Sequence, residues 1–444
     1  MPAAPSLSAP AHAHAHAGRW RISVTQFLNW SPFVLALAGY CLHPINDLFR
    51  MLAGAPEWLV ALGGHTTKLV FLPVIGLCAL GVMRHRHLRT GRWPAAWFML
   101  VALLMLLALL QGSWSVLAGR NSLRYYVSHL GMAGMMLCVT LHYALAGVAG
   151  RQWFLPATCR GIAAFCLGYF TLVYIVGFFF IRTGYWGINS AILLFPFSWY
   201  LLRRRWLATV LAAVLIVASG KRGTAVGMVA VLLAWFLVNY LASGGFRRLW
   251  RLALGLAVVA LGVGSLVYLA RSDPAALHPQ LARAVAKWNE LLPQNGEFSI
   301  DQASGGRASE IRGALNTMAD SWVRIAAGSG YGWYFIWYED PPPRPHHFTH
   351  VSPVNFVVTY GWVGGMAFLL LTAATMMACL WRVARLMRHR PAVVPAFLFL
   401  FAAGLLGLSC TSFTLGVDPM YWIVLGVLFK CVLSPSPFPP ARPQ

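Results

Sequence analysis

Two adjacent cations lie between apolar runs of the sequence and could bind a phosphate group. Lys221 and Arg222 are flanked by Gly220 and Gly223, and residues without a Cβ let a ligand approach the backbone closely. A guanidinium group matches two phosphate oxygens at once, and the adjacent ammonium adds a point charge. We therefore predict an anion site here, with an anchor to lipid headgroups as the alternative.

A second candidate cation, Arg307, begins a predicted helix over residues 306–326. An apolar stripe, with spacings of four, three, four and three residues, predicts that helix: it consists of Ile311, Leu315, Met318, Trp322 and Ile325. Four residues before the stripe stands Arg307, so a cation is expected on the buried face at the helix start, where the helix dipole disfavours it. It needs either Glu310, one turn on, or an anionic ligand. Arg312 lies on a neighbouring face and is a weaker candidate.

A third candidate group is a set of three histidines, His346, His347 and His350, just before an apolar run. Ser352 is predicted to cap a helix with Pro353 at its first position. His350 would then precede a helix N-terminus, where the dipole disfavours imidazolium. A neutral imidazole can act as a general base. Zinc binding is the alternative, although no nearby cysteine or ordered carboxylate spacing supports a metal site.

The composition of the chain determines which elements must position these groups. Hydrophobic residues make up 59% of the 444 residues and charged residues 10%, with a mean hydropathy of +0.65. A soluble protein needs about a quarter of its residues charged. We therefore predict an all-α polytopic membrane protein. The net charge of +23 does not indicate nucleic-acid binding, because arginine and lysine form short clusters between apolar runs rather than one continuous face.

Apolar windows of about 20 residues, the length that crosses a membrane, predict about twelve spans. Their centres lie within 26–44, 59–82, 95–117, 126–148, 157–181, 187–202, 206–219, 224–242, 250–270, 352–379, 392–409 and 417–433. Basic clusters follow the second, sixth, eighth and tenth spans, which places those loops and both termini in the cytoplasm. Every Asp and Glu then falls on the opposite, outer side.

This topology divides the chain into five parts. They are a disordered cytoplasmic N-terminus (1–22), spans one to nine (23–270), one large outer loop (271–350), spans ten to twelve (351–433) and a cytoplasmic tail (434–444). The outer loop is predicted to be mainly helical, with a first helix over 275–292 and the second over 306–326. The prolines at 341–343 are predicted to prevent any regular element before the tenth span.

Ionisable residues inside the predicted spans are costly there and are candidates for function. They include Lys68 and Arg160, which we expect to extend towards the membrane surface, and His65, His129 and His142. The three histidines are expected to hydrogen-bond neighbouring helices rather than to do chemistry.

The order and spacing of four motifs resemble the O-antigen ligase/polymerase superfamily. They are Ser219-Gly-Lys-Arg-Gly, Gly306-Arg307 at a helix start, Gly328-Ser-Gly-Tyr-Gly, and His350 followed eleven residues on by Gly361. The resemblance covers residues 219–365, and the layout of about twelve spans with one large outer loop before the tenth extends it. It implies a GT-C-like glycosyltransferase in the inner membrane of a Gram-negative bacterium, with the outer loop and the active site in the periplasm.

The implied activity is the transfer of O-antigen polysaccharide from undecaprenyl diphosphate to a sugar hydroxyl of lipid A–core. The lipid diphosphate is already an activated donor, so neither a nucleotide nor another cofactor is expected. The sequence contains no Asp-x-Asp motif, which favours a metal-independent reaction. Direct displacement by one hydroxyl would invert the anomeric centre. The expected partners are the glycan donor, the lipid A–core acceptor and membrane lipids, without nucleic acid.

The resemblance also implies roles for individual residues. Arg222 and Arg307 would hold the diphosphate, with Lys221 and Arg312 as further candidates in this sequence, and His350 would activate the acceptor. Many members have asparagine directly after this histidine, whereas valine follows it here, which leaves His347 as an alternative base.

The sequence is compatible with three other functions. An O-antigen polymerase and a protein O-oligosaccharyltransferase would use the same donor chemistry with another acceptor. A polar-lipid transporter or flippase belongs to a different class. Transporters usually have internal repeats and discontinuous helices at the membrane midplane, whereas the polar groups here concentrate at one outer face.

Overall fold

The computed structural model describes residues 23–51, 57–86, 91–149, 155–180, 190–243, 268, 279–290, 304–337, 344–389, 393–411 and 415–433. The predicted N-terminal segment, almost all of the ninth span and the C-terminal tail lie outside the described residues. So do the side chains of Lys68 and His65. The described residues are mainly helical, with a small two-stranded sheet.

Most helices of the described ranges lie at the predicted spans, and α9, α10 and α11 lie in the predicted outer loop. They are α1 Val24–Met51, α2 Glu57–Arg84, α3 Arg92–Leu117, α4 Leu123–Ala149, α5 Pro156–Phe180, α6 Leu194–Leu202, α7 Trp206–Ala218, α8 Arg222–Ser243, α9 Pro279–Asn289, α10 Arg307–Asn316, α11 Trp322–Ala327, α12 Ser352–His389, α13 Val393–Ser409 and α14 Pro419–Leu428. Apart from the ninth, each predicted span coincides with a helix. The strands are β1 Phe335–Trp337 and β2 Arg344–His346.

Five of the described helices are long and apolar enough to cross a membrane. They are Arg92–Leu117, Leu123–Ala146, Pro156–Phe179, Arg222–Ala242 and Ser352–His389. These helices agree with the predicted class of an all-α membrane protein. The count of twelve spans and the side on which each loop lies stay predictions.

Buried aromatic rings pack the helices against one another around α13 and α14. Phe195 of α6 makes T-shaped contacts with Phe397 and Phe401 of α13, with ring centroids 4.7 and 5.2 Å apart. Trp97 of α3 contacts Phe429, just after α14, with centroids 5.3 Å apart. Because lipid tails are as apolar as these side chains, close van der Waals packing rather than the hydrophobic effect holds such helices together.

Residues 306–326 do not form the single helix that the apolar stripe predicts. α10 ends in a tight turn over residues 317–319, whose N–H groups donate to carbonyls three residues back. Ser321 is extended, with a φ of −154°, so α11 begins with a new helical phase. The stripe is buried at Met318, which is 2% exposed, but Trp322 is 79% exposed. The prediction of one continuous buried stripe is therefore wrong.

The remaining predictions for the outer loop have mixed outcomes. The first predicted helix is present as α9, and residues 275–278 and 291–292 lie outside the described residues. The prediction of no regular element near the prolines is wrong, because β1 and β2 pair antiparallel on either side of them, with Phe335 opposite His346. In a two-stranded ribbon each strand has a free edge, so Pro345 fits within β2 without a lost ladder bond.

A glycine within α12 fixes part of the loop in the helix bundle. Gly361 has a φ of 76° and a ψ of 173°, which interrupts the helix in a conformation that glycine tolerates best. Nearby, the carbonyls of Val358 and Thr359 accept hydrogen bonds from Ser329 N (2.8 Å) and Gly330 N (3.2 Å). The Gly328–Gly332 motif thus does more than end a helix, because its backbone replaces bonds that the interrupted helix lacks.

Candidate active site

Two glycines in left-handed conformations set the start of α10. Gly305 and Gly306 have φ angles of 67° and 78°, and a side chain at either position would be strained. Ser304 Oγ accepts a hydrogen bond from Ala308 N at 3.1 Å, which satisfies one N–H group of the first turn. Arg307 is the first residue of α10, so the prediction that this cation stands at a helix start is confirmed.

The carboxylate of Glu310 joins Arg307 and His350. Its Oε2 accepts a hydrogen bond from Arg307 Nη1 at 2.8 Å. Its Oε1 accepts two from His350, one from the backbone N at 3.0 Å and one from the ring Nδ1 at 2.8 Å. Glu310 is 0% exposed, so a residue that the sequence indicated only as a partner of Arg307 is the buried centre of the group.

The hydrogen bonds of Glu310 favour one tautomer of His350. An ionised carboxylate only accepts hydrogen bonds, so the contact with Glu310 requires a proton on Nδ1. Nδ1 also lies 2.6 Å from Arg307 Nη1, which would require the other tautomer. Arg307 Nη1 carries two N–H groups, so its bond to Glu310 does not by itself decide between the tautomers. An Nδ1 without a proton would set its lone pair against the Glu310 carboxylate, so we assign the proton to Nδ1 and the lone pair to Nε2. The His350 side chain is 35% exposed, so part of the ring is open to a ligand.

The charge of Glu310 is maintained by its neighbours. Burial by itself would raise the pKa of this carboxyl group. The hydrogen bond and charge of His350, followed by those of Arg307, outweigh burial and hold the pKa of Glu310 below its ordinary value. The group is therefore an anion at neutral pH, placed to stabilise a positive charge on the imidazole ring.

Arg222 lies beside the glycine turn that leads to Arg307. It is the first residue of α8, and its Nη2 is 2.7 Å from the position that a Cβ on Gly305 would occupy. The same Nη2 donates to Glu290 Oε2 at 2.9 Å. The structure thus brings the Arg222 side chain to the turn directly before Arg307, although the two arginines are far apart in sequence. Glu290, next to α9, is a partner that the sequence did not indicate.

The other two predicted cations are more peripheral. Lys221 is exposed and precedes α8 directly. Arg312 is also exposed, and it lies about 140° around α10 from Arg307, at 100° per residue. Both therefore stay candidates through proximity alone.

The three histidines point to different partners. The ring of His346 makes an edge contact with Trp337, with centroids 5.4 Å apart. His347 stacks on Tyr125, with centroids 4.6 Å apart and an interplanar angle of 9°. Among these three, the structure brings only His350 to Glu310 and Arg307. Within the described residues, no group of three or more His, Cys, Asp or Glu side chains is placed to hold a metal ion.

His129 ties α4 to the loop that carries His347. Its Nδ1 accepts a hydrogen bond from Gly332 N at 2.9 Å, and its Nε2 donates to the carbonyl of His347. His129 is thus hydrogen-bonded, as expected, but its partners belong to the loop and not to a neighbouring helix.

The start of α12 differs slightly from the prediction. The helix begins at Ser352, so Pro353 is its second residue rather than its first. Ser352 Oγ accepts a hydrogen bond from Leu415 N at 2.8 Å, which links this end of α12 to the segment before α14. His350 nevertheless precedes the helix N-terminus, as predicted.

An apolar groove opens beside His347, between α4 and the start of α12. Its walls consist mainly of aromatic, methionine and alanine side chains: Met132, Ala133, Met136, Tyr331, Trp333, Phe348, Phe356 and Tyr360. His129, His347 and Asn355 supply polar atoms along it. Its volume is about 60 Å³, well below the roughly 300–1,000 Å³ of a typical small-molecule pocket.

Comparison of the whole chain with known protein families, curated proteins and solved structures finds no match. The chemistry of the site therefore rests on the geometry described above and on the resemblance of the sequence motifs.

Proposed function

We propose that this protein is an O-antigen ligase. It transfers O-antigen polysaccharide from undecaprenyl diphosphate to a sugar hydroxyl of lipid A–core, with inversion and without a metal ion. The observation that supports this proposal is the group formed by Arg307, Glu310 and His350, with Arg222 beside it. The group combines a proton acceptor held by a carboxylate with two guanidinium groups suited to a diphosphate.

The reaction follows from the roles of these side chains. His350 Nε2 takes the proton of the acceptor hydroxyl, whose oxygen attacks the anomeric carbon of the donor. The bond from that carbon to the diphosphate oxygen breaks, and the electron pair leaves with the diphosphate. Arg222 and Arg307 stabilise the charge on this leaving group. Glu310 stabilises the imidazolium formed at His350, as the carboxylate of a Ser-His-Asp triad does.

The proposal includes a membrane topology. About twelve spans cross the inner membrane of a Gram-negative bacterium, both termini are cytoplasmic, and residues 271–350 lie in the periplasm before the tenth span. The basic clusters after even-numbered spans support this orientation.

The lipopolysaccharide of a strain that lacks this protein tests the proposal. A ligase deletion should give lipid A–core without O-antigen, while long polymer accumulates on the lipid carrier. Lipid A–core that carries a single repeat would instead identify a polymerase. Unchanged lipopolysaccharide with loss of glycan from proteins would identify a protein glycosyltransferase, and loss of carrier-linked polymer from the outer leaflet would identify a flippase.

Replacing either arginine by lysine should lower transfer although the charge is kept. Lysine cannot make the two parallel hydrogen bonds of a guanidinium group, so Arg222→Lys and Arg307→Lys are each expected to reduce the rate by more than about tenfold, or about 1.4 kcal/mol. The measurement is ligation by purified protein at matched amounts. Arg120→Lys, at an exposed position between α3 and α4, is the control and should be neutral. Full activity of both test variants would contradict diphosphate binding by these residues.

A further inference from the structure

The short helix α11 exposes apolar side chains on one face. Trp322 is 79% exposed, Val323 41% and Ile325 42%. A tryptophan and two branched aliphatic side chains exposed on one face form an apolar patch of the kind that marks a membrane or partner surface.

The charged residue of α11 points the other way. Arg324 has a side chain only 10% exposed, and it donates to the carbonyl of Thr317 at 3.1 Å and to Asp320 Oδ2 at 3.2 Å. A helix that faces water normally exposes its charge and buries its apolar residues. α11 has the opposite arrangement, as expected for a helix that faces an apolar medium.

The chain after α11 lies between two candidate membrane spans. Tyr331 N donates to the carbonyl of Ala108 in α3 at 3.1 Å, and Gly328 abuts the backbone of Thr359 and Gly361 in α12. Ala108 is nine residues before the end of α3, or about 13 Å at 1.5 Å per residue. The chain that follows α11 thus lies beside the interior of the candidate span α3 and not beyond its end.

The exposed face of α11 is apolar, as are the exposed faces of α3 and α12 near it. In α12 no residue before Gly361 is exposed, and exposure begins with Trp362 (49%) and Val363 (73%). In the last turn of α3, Trp114 is 71% exposed and Leu117 84%. Tryptophan is enriched where a membrane meets water, so α11 and both spans have this residue where the membrane surface is expected.

We propose that α11 is an interfacial membrane anchor, with Trp322, Val323 and Ile325 inserted among the lipids of the outer leaflet. An amphipathic helix of this type lies in the plane of the interface, with its apolar face in the acyl boundary. The 317–320 turn connects α10 to α11. The anchor therefore fixes the distance of α10 from the lipid headgroups. It depends on the membrane topology and not on the reaction that the protein catalyses.

Spin labels test the location of α11. Trp322 and, in a second protein, Ile325 are replaced by cysteine and labelled with a nitroxide. The background replaces Cys41, Cys138, Cys410 and Cys431 by serine, because the first three are partly or fully exposed and the fourth lies near the C-terminus. The full chain is placed in bilayers of phosphatidylethanolamine and phosphatidylglycerol. Collision rates are then measured with oxygen, which concentrates in lipid, and with a water-soluble nickel chelate. Leu370→Cys, at an exposed position of α12, is the lipid control. Asn316→Cys, at an exposed position of α10, is the water control.

If α11 is an anchor, labels at residues 322 and 325 should collide more often with oxygen than with the nickel chelate, as the label at residue 370 does. Preference for the nickel chelate at both positions, as at 316, would overturn the proposal. Dipolar broadening at 322 that disappears on dilution with unlabelled protein would show contact between copies of the chain, and would overturn it as well. Because no result here depends on glycan transfer, failure of the anchor is distinct from failure of the proposed function.

Discussion

Replacing His350 by alanine is expected to reduce glycan transfer by about 10²–10⁴-fold, the usual contribution of a general base. A sugar hydroxyl is a poor nucleophile until its proton is removed. His350 is the histidine whose ring meets both Glu310 and Arg307, and the contact with Glu310 leaves Nε2 as the proton acceptor. Protein level and donor binding should be unchanged, because the arginines stay in place.

The measurement compares ligation by three alanine variants at matched levels in membranes. His346→Ala should have a small effect, since its ring packs against Trp337 outside the Glu310 group. His347→Ala should have an intermediate effect, because it removes the stack on Tyr125 that holds the loop before His350. Activity retained by His350→Ala but lost in His347→Ala would assign the base to His347. If all three variants stayed active, a histidine base would be ruled out.

Glu310→Gln is expected to lower transfer by about 10²–10⁴-fold as well, although glutamine has nearly the same shape. A carboxylate accepts at both oxygens, whereas an amide accepts at one atom and donates at the other. Glutamine would therefore direct an N–H group at either His350 or Arg307, and it would no longer stabilise imidazolium. The amide replacement in a Ser-His-Asp triad costs about 10⁴ for the same reason.

Two variants make this test specific to Glu310. Asp320→Asn changes a carboxylate of the same loop that is 56% exposed and pairs with Arg324. The amide oxygen can still accept a hydrogen bond from Arg324, so transfer should change by less than about twofold. Glu310→Asp keeps the charge and should recover part of the activity. Equal losses in Glu310→Gln and Glu310→Asp would indicate that packing, rather than charge, is what the site requires.

The lowered pKa of Glu310 also predicts how stability varies with pH. A carboxyl group whose pKa is lower in the folded state stabilises that state above its unfolded pKa. This contribution is lost as the pH falls through the folded pKa. Thermal unfolding of the native protein and of Glu310→Gln should therefore differ most near neutral pH and converge under acidic conditions. A difference that is independent of pH would show that the charge of Glu310 does not contribute.

Several features of this protein can be predicted from the sequence because they depend on composition or on neighbouring residues. The scarcity of charge and the long apolar windows indicate a helical membrane protein whatever the packing. The spacing of Arg307 and Glu310, three residues apart, places them on one side of a helix, and their ion pair is present. The spacing of the apolar residues likewise predicted a helix that starts near Arg307.

Only the tertiary structure decided which of these groups meet. His350 and Glu310 are 40 residues apart. No local sequence pattern predicts that a carboxylate in one helix binds the residue two positions before the start of another helix. The end of the Arg222 side chain lies beside Gly305, which is far from it in sequence. The apolar stripe was read with a single helical phase, so one tight turn at 317–319 was enough to move Trp322 from the predicted buried face to an exposed one. Periodicity carries information over a few turns of one helix, whereas contacts between elements depend on how all of them pack.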